Sequence, residues 1–120
     1  MTDSAPITLY HNPDCGTSHK VLALIEEAGE TPAIVEYRKV GWTRALLVAD
    51  LLIAMGATPR DVLRERGTPA LALGLLDPHV TDEAILDAMV EHPILVERPI
   101  VVTPAGAALC RPAETVLGLL

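Results

Sequence analysis

Two different hydrophobic periods predict a strand and then a helix at the start of the chain. Residues 7–10, Ile-Thr-Leu-Tyr, are rich in β-branched and aromatic side chains, and Asn12-Pro13 ends this run as a turn would. Apolar residues then recur at helical spacing up to Gly29, at Val21, Leu24, Ile25 and Ala28. The segment from His11 to Ser18 therefore connects a strand to the beginning of a helix.

The middle of the chain is predicted to be mostly helical. Residues 33–37 form a predicted second strand, parallel to the first because a helix connects them, and 38–42 a loop. Thr43 caps a predicted helix that ends at Gly56, and Pro59 begins a short one over 60–66. Residues 67–78 are ambiguous. Thr81 then caps a helix that ends at His92-Pro93 and buries one face, formed by Ile85, Leu86, Met89 and Val90.

The end of the chain predicts a hairpin and a last helix. Residues 99–103 and 107–110 are the two strands, joined by a turn at 104–106, and Pro112 occupies the first position of a helix that continues to Leu120. The order β-α-β, helices, β-β-α predicts an α/β fold. We expect a single domain over residues 1–120, with a thioredoxin-like mixed sheet and an all-helical insertion between its halves at about 43–92.

Composition and charge exclude several classes of protein. The net charge of −7 argues against a general nucleic-acid surface, which needs a basic field. The most apolar run, Ala45 to Ala57, contains Asp50 and is shorter than the roughly 20 residues of a membrane span, so we interpret it as a core helix. Residues 1–6 have neither the basic start nor the apolar stretch of a secretory signal, and we therefore expect a cytoplasmic protein with no membrane partner.

The position of Cys15 predicts a reactive thiol. At a helix N-terminus, unpaired backbone N–H groups and the helix dipole favour an anion. A thiol there ionises below its ordinary pKa of about 8.5, at roughly 3.5–7.5, and the thiolate is the nucleophile. The same N–H groups can also bind an oxyanion. The alternative, a small buried hydrophobic side chain, describes most free cysteines.

The remaining residues give no sign of a metal site or a bound cofactor. Besides Cys15 the chain has only Cys110, and two cysteines cannot form a tetrahedral zinc site alone. The four histidines show no metal-ligand spacing, and neither a phosphate loop nor a dinucleotide fingerprint is present. We expect Cys110 to be buried in its strand rather than to act as a second active thiol.

Three segments of the chain carry a recognisable pattern: His-Asn-Pro-Asp-Cys-Gly-Thr-Ser at 11–18, His-Pro-Ile-Leu-Val-Glu-Arg-Pro-Ile-Val-Val at 92–102 and Leu-Cys-Arg-Pro at 109–112. Together they resemble the glutaredoxin-coupled arsenate reductase family. The resemblance covers nearly the whole chain. It implies that Cys15 is the catalytic nucleophile and that Arg64, Arg98 and Arg111 bind the substrate oxyanion. Arg60 and Arg66 lie close to Arg64 and are alternatives for its position.

The resemblance also implies residues that support the thiolate and a thiol from outside the chain. The Arg98-Pro99 bond is expected to be cis, and the supporting residues are His11, Gly16, Thr17 and Ser18. His11 either hydrogen-bonds into the site or is tied to the backbone, and Ser18 either donates to the sulfur or caps the helix. Because Ser18 stands where a Cys-x-x-Cys protein has its second thiol, the implied reaction uses glutathione as co-substrate and glutaredoxin as partner. Arsenate is then reduced to arsenite through an arsenylated Cys15.

Two other functions fit the same fold. Spx-type regulators that bind RNA polymerase are related, but they carry Cys-x-x-Cys where this chain has Ser18. A glutathione-dependent thiol reductase acting on another substrate is the second alternative, because a pocket for a tetrahedral oxyanion does not identify the central atom.

Overall fold

A computed structural model describes residues 7–120, apart from the side chains at positions 49 and 50. The described chain divides into two units, one formed by residues 7–36 and 98–120 and the other by 37–97. The expectation about a secretory signal concerns residues 1–6 and lies outside the described residues. The expectation of a single domain over residues 1–120 stays a prediction.

The first unit contains a four-stranded mixed sheet. Its strands, in spatial order β2-β1-β3-β4, are β1 (Thr8–His11), β2 (Ala33–Glu36), β3 (Ile100–Thr103) and β4 (Gly106–Leu109). β1 is parallel to β2 and antiparallel to β3, and β3 is antiparallel to β4. The predicted α/β class, the parallel opening and the closing hairpin are thereby confirmed.

Helix α1 (Gly16–Glu27) connects the two parallel strands. It ends where Gly29 adopts a φ of 86°, so that the Gly29 and Glu30 N–H groups donate to the Glu26 and Ile25 carbonyls. Only glycine takes this left-handed conformation readily, which explains the predicted end of the helix. Its buried Val21 and Ile25 belong to a core cluster with Ile7, Leu9, Val101, Cys110, Ala113 and Val116.

The C-terminal segment is helical but differs in type from the prediction. Ala113–Leu119 is a 3₁₀-helix, and Pro112 is its N-cap rather than its first residue. The segment packs through Ala113 and Val116, which are buried, and the Thr103 hydroxyl donates to the Leu119 carbonyl at 2.9 Å. These contacts anchor the end of the chain to β3.

The second unit, residues 37–97, is mainly helical. It begins with α2 (Tyr37–Val40), and a helix follows over 44–55 that is π-helical at Leu46–Leu52 and closes with α3 (Ile53–Met55). The Thr43 hydroxyl accepts from the Leu46 N–H at 3.1 Å, and Gly56 ends the helix with a φ of 65°. These two ends confirm the predicted Thr43 cap and Gly56 stop.

The last long helix of this unit also has the predicted cap. In α4 (Asp82–Glu91), Thr81 Oγ1 accepts from the Ala84 N–H at 3.1 Å. Two short 3₁₀-helices, Arg60–Val62 and Pro93–Leu95, lie on either side of it in the chain, and residues 66–79 form turns. Within residues 7–120, every helix is too short or too polar to span a membrane.

Four local predictions for the middle of the chain are wrong. Tyr37 is not the last residue of β2 but begins α2, where it is buried and stacks on Trp42 with ring centroids 5.1 Å apart. Residues 38–42 are accordingly not all loop, since α2 continues to Val40. The helix predicted over 60–66 stops at Val62, because Leu63 is extended and pairs with Val96. Val90 is 38% exposed, since α4 buries only Ile85, Leu86 and Met89.

Candidate active site

The loop between β1 and α1 places Cys15 at the N-terminus of the helix, as predicted. Cys15 is the N-cap, with extended backbone angles, and α1 begins at Gly16. The Cys15 N–H donates to the Asn12 carbonyl at 2.9 Å, and the Cys15 carbonyl accepts the His19 N–H at 3.2 Å. Cys15 is 8% exposed, so the groups of the protein around it surround most of the side chain.

Hydrogen bonds make the Cys15 thiol acidic. Burial raises its pKa, but the Ser18 N–H, the Arg98 guanidinium, the Ser18 hydroxyl and the Thr17 N–H all interact with the sulfur and lower the pKa from 9.0 to about 6. Donors of this kind stabilise the charged form selectively. Of the residues expected to support the thiolate, Thr17 and Ser18 thus contact it, while no such interaction involves Gly16.

The acidity of Cys15 predicts a pH profile for alkylation. Because the pKa of Cys15 is about 6, half of the thiol is ionised at pH 6. The rate of iodoacetamide modification should therefore be half-maximal at that pH, rise further above it and then reach a plateau. Cys110 should stay unmodified in the folded protein over this range, since burial raises its pKa to about 11. Mass spectrometry of peptides alkylated at each pH measures both. A Cys15 midpoint at the ordinary value of about 8.5 would contradict the assignment.

Two arginines bring positive charge to the sulfur. Arg98 is partly buried and donates to Cys15, and Arg111 Nη1 lies 3.9 Å from Sγ while it also donates to the Arg98 carbonyl at 3.0 Å. The structure therefore brings together Cys15 and two of the three predicted oxyanion ligands. The Arg98-Pro99 bond is cis, which confirms that expectation, and the Arg111-Pro112 bond is also cis, which was not predicted.

His11 is at the end of β1 and is 5% exposed. Its ring meets that of His19 edge to face, with centroids 5.0 Å apart, and its Nδ1 has no hydrogen-bond partner among the described residues. Burial lowers the pKa of His11, the neighbouring His19 lowers it further, and Glu36 opposes both. His11 is thus neutral at physiological pH, and its proposed support of the thiolate stays a prediction.

Arg64 lies in the second unit, in the extended segment after the 3₁₀-helix. The Arg64 N–H donates to the Leu95 carbonyl and the Glu97 N–H to the Val62 carbonyl, both at 2.7 Å, so Arg64 and Glu97 are held side by side. Arg64 Nη1 is 2.5 Å from Glu97 Oε1, and Arg64 Nε donates to the Arg66 carbonyl at 3.0 Å. Within this unit, the guanidinium group of Arg64 thus binds a carboxylate and a backbone carbonyl.

The second cysteine has the setting of a structural residue. Cys110 is fully buried in the core cluster, and its Sγ donates weakly to the Ala108 carbonyl at 3.7 Å. Burial raises its pKa to about 11, so it remains a thiol at neutral pH. Among the side chains that the structure describes, no group of three or more histidine, cysteine or acidic residues is placed to hold a metal ion.

Sequence reasoning missed two residues beside the cysteine, Asn12 in the loop and His19 in the first turn of α1. Asn12 was interpreted only as the end of a strand, yet it is 1% exposed and hydrogen-bonds within the loop. His19 was given no role, but its Nε2 is 2.6 Å from the Pro13 carbonyl. The available signal was a polar residue with turn-forming chemistry three positions before the cysteine, and a histidine one helical turn after it.

Sequence comparison finds relatives that match nearly the whole chain. A profile of the ArsC family matches residues 10–119. The arsenate reductase ArsI1 of Synechocystis sp. is 59% identical over 120 residues, which cover 100% of this chain and 82% of that protein. The arsenate reductase of Escherichia coli (strain K12) is 47% identical over 114 residues, which cover 95% of this chain and 80% of that protein.

Structural comparison agrees with the sequence relatives. The structure of an arsenate reductase from Vibrio cholerae superimposes with a TM-score of 0.91 at 35% identity, covering 98% of this chain and 100% of that chain. This likeness supports the fold class that the sequence predicted, a mixed α/β fold of the arsenate reductases.

Proposed function

Because this chain belongs to the ArsC family, we propose that it is an arsenate reductase in which the Cys15 thiolate attacks arsenate. The observation that carries this proposal is a cysteine with a pKa of about 6 that lies against two guanidinium groups at a helix N-terminus. Such a cysteine is a thiolate at neutral pH, and the guanidinium groups supply charge for an oxyanion beside it.

The charge around Cys15 suits arsenate as a substrate. Arsenate is a tetrahedral anion, and guanidinium groups bind its oxygens with paired, charge-assisted hydrogen bonds. A thiolate and an arsenate anion repel each other, so the thiolate can approach arsenate only if positive charge lies beside both anions. The guanidinium groups of Arg98 and Arg111 provide this charge. The family resemblance adds Arg64 as a third ligand, and this role stays a prediction. Phosphate has the same shape and charge, and we expect it to compete for binding without being reduced.

In the first chemical step the Cys15 thiolate donates its electron pair to arsenic. One arsenate oxygen leaves as hydroxide, or as water after protonation, and a bond between Cys15 Sγ and arsenic forms. Arsenic is still As(V) at this stage. Arg98 and Arg111 neutralise the charge on the remaining oxygens, and this electrostatic stabilisation is the main contribution of the site.

The second step reduces arsenic with an external thiol. A glutathione thiolate attacks the Cys15 sulfur and forms a mixed disulfide, while the sulfur–arsenic bond breaks with both electrons going to arsenic. As(V) thereby becomes As(III), which leaves as arsenite, and the two sulfur atoms together lose two electrons. Glutaredoxin with a further glutathione then removes the glutathione unit and restores the Cys15 thiolate. The buried Cys110, which remains protonated, supports an external rather than an internal thiol.

A glutathione-dependent cycle needs a compartment that keeps thiols reduced, and we therefore place the protein in the cytoplasm. The arsenate-reductase relatives and the single thiol at the start of α1 favour this function over an Spx-type regulator.

A coupled assay tests the proposal. Purified protein is mixed with arsenate, glutathione, glutaredoxin, glutathione reductase and NADPH, and we expect one NADPH to be consumed per arsenate, because As(V) to As(III) is a two-electron reduction. Omitting glutaredoxin should slow turnover strongly, and adding phosphate should raise the KM for arsenate. No arsenate-dependent turnover in the complete mixture would contradict the assignment of substrate. Reduction of a small glutathione mixed disulfide under the same conditions would then identify a thiol reductase.

A further inference from the structure

The Asn12 side chain is buried in the loop that carries the nucleophile. It is 1% exposed, and its Oδ1 accepts the Asp14 N–H at 2.9 Å. Its backbone carbonyl accepts the Cys15 N–H at 2.9 Å, and its N–H donates to Ser18 Oγ at 3.4 Å. One residue thus bonds to the loop before the cysteine, to the cysteine itself and to the first turn of α1.

The side-chain bond determines the shape of the loop. An asparagine oxygen that accepts the N–H two residues later closes an Asx turn, which imitates a backbone turn. This turn brings the chain round so that the Cys15 N–H meets the Asn12 carbonyl. Without the side-chain oxygen, this hydrogen bond from the Asp14 N–H is lost and the direction in which the chain enters α1 is no longer fixed.

The bond to Ser18 determines where the serine proton points. Ser18 is fully buried, and because its oxygen accepts from Asn12, its own hydroxyl hydrogen is available to the Cys15 sulfur. The Ser18 and Thr17 N–H groups point to the same sulfur only if α1 begins in this orientation. We propose that Asn12 is the positioning residue that fixes this loop and aims the Ser18 hydroxyl and the N–H groups of α1 at Cys15.

The chemistry of the side chain explains why a neutral amide suits this position. Aspartate forms the same turn, but its carboxylate would place a negative charge next to a thiolate and disfavour it. Asparagine supplies the acceptor without the charge. The two charged groups that interact with the sulfur, Arg98 and Arg111, are unchanged in any substitution of Asn12.

Titration of the Cys15 thiolate tests this role. The inference rests on the proposed nucleophile, but the ultraviolet absorbance of the thiolate is measured without arsenate, so its outcome is independent of whether arsenate is the substrate. In Asn12→Ala we expect the Cys15 pKa to rise by about one unit, which is a tenfold lower ratio of thiolate to thiol at a given pH. The matched control is Val116→Ala, which removes a buried side chain from the core cluster rather than from the loop.

The control separates positioning from stability. Val116→Ala should lower the melting temperature and leave the Cys15 pKa at the wild-type value, while Asn12→Ala should move the pKa. A wild-type pKa in folded Asn12→Ala, or an equal rise in Val116→Ala, would overturn the proposal. If Asn12→Ala does not fold, Asn12→Ser decides, because its shorter and weaker acceptor should give a smaller rise. An unchanged pKa in that variant would likewise overturn it.

Discussion

Replacing Cys15 with serine is expected to abolish arsenate reduction while the fold is retained. Serine is nearly isosteric with cysteine and is a favoured N-cap, so α1 should begin at the same residue. Its hydroxyl, however, does not ionise near neutral pH and cannot form a mixed disulfide with glutathione. We expect turnover to fall at least about a thousandfold, to the background of the coupled assay, since the loss of a catalytic nucleophile has effects of this order or larger.

Cys110→Ala is the matched control for this substitution. It removes the other thiol of the chain from a fully buried position, so we expect a loss of stability of about 1–2 kcal/mol and nearly unchanged turnover. Thermal denaturation followed by circular dichroism measures the first, and the NADPH assay measures the second. If Cys15→Ser retains turnover and Cys110→Ala loses it, the nucleophile is Cys110 and not Cys15.

The parts of the fold that the sequence predicted are those that local patterns determine. The helix α1 has its apolar residues at helical spacing and a glycine at its end, and both its position and its stop agree with the structure. The Thr43 and Thr81 caps agree for the same reason, because a cap is a hydrogen bond to an N–H only three residues away. The position of Cys15 follows from the strand before it and the helix after it.

The features that the sequence did not predict depend on residues far apart in the chain. Arg64 is paired with Glu97, which is 33 positions away, and the extended Leu63 that ends the predicted helix is paired with Val96. In each case a tertiary contact outweighs a weak local preference, and the hydrophobic periodicity of the sequence does not predict that contact.

The composition of the loop illustrates the same limit at the site. A cysteine before a helix predicts a lowered pKa, but the size of the effect depends on how many donors reach the sulfur. The structure adds the Arg98 guanidinium and the Ser18 hydroxyl to the N–H groups. These two side chains approach Cys15 from different elements, so their geometry had to be observed.

Arg98→Lys is expected to lower kcat/KM for arsenate by about 100-fold or more. Lysine keeps the positive charge but has a single ammonium in place of the planar fork that binds two oxygens at once. Removing one well-placed donor to a developing oxyanion typically lowers kcat by about 10²–10³. Because Arg98 also interacts with the Cys15 sulfur and lowers its pKa, the variant should show a higher Cys15 pKa. The coupled assay and the thiolate titration measure the two effects on one preparation.

Arg38→Lys is the matched control, because it makes the same exchange at an exposed arginine of α2 that has no proposed role in the site. Its kcat/KM and its Cys15 pKa should both equal those of the wild-type protein, which shows that the exchange alone is harmless. If Arg98→Lys lowers kcat/KM by less than about threefold, the fork of Arg98 does not hold the reacting oxyanion. If kcat/KM falls but the Cys15 pKa stays at about 6, the fork of Arg98 acts on the substrate rather than on the thiolate. The low pKa of Cys15 must then come from the remaining groups at the sulfur, which include Ser18, Thr17 and Arg111.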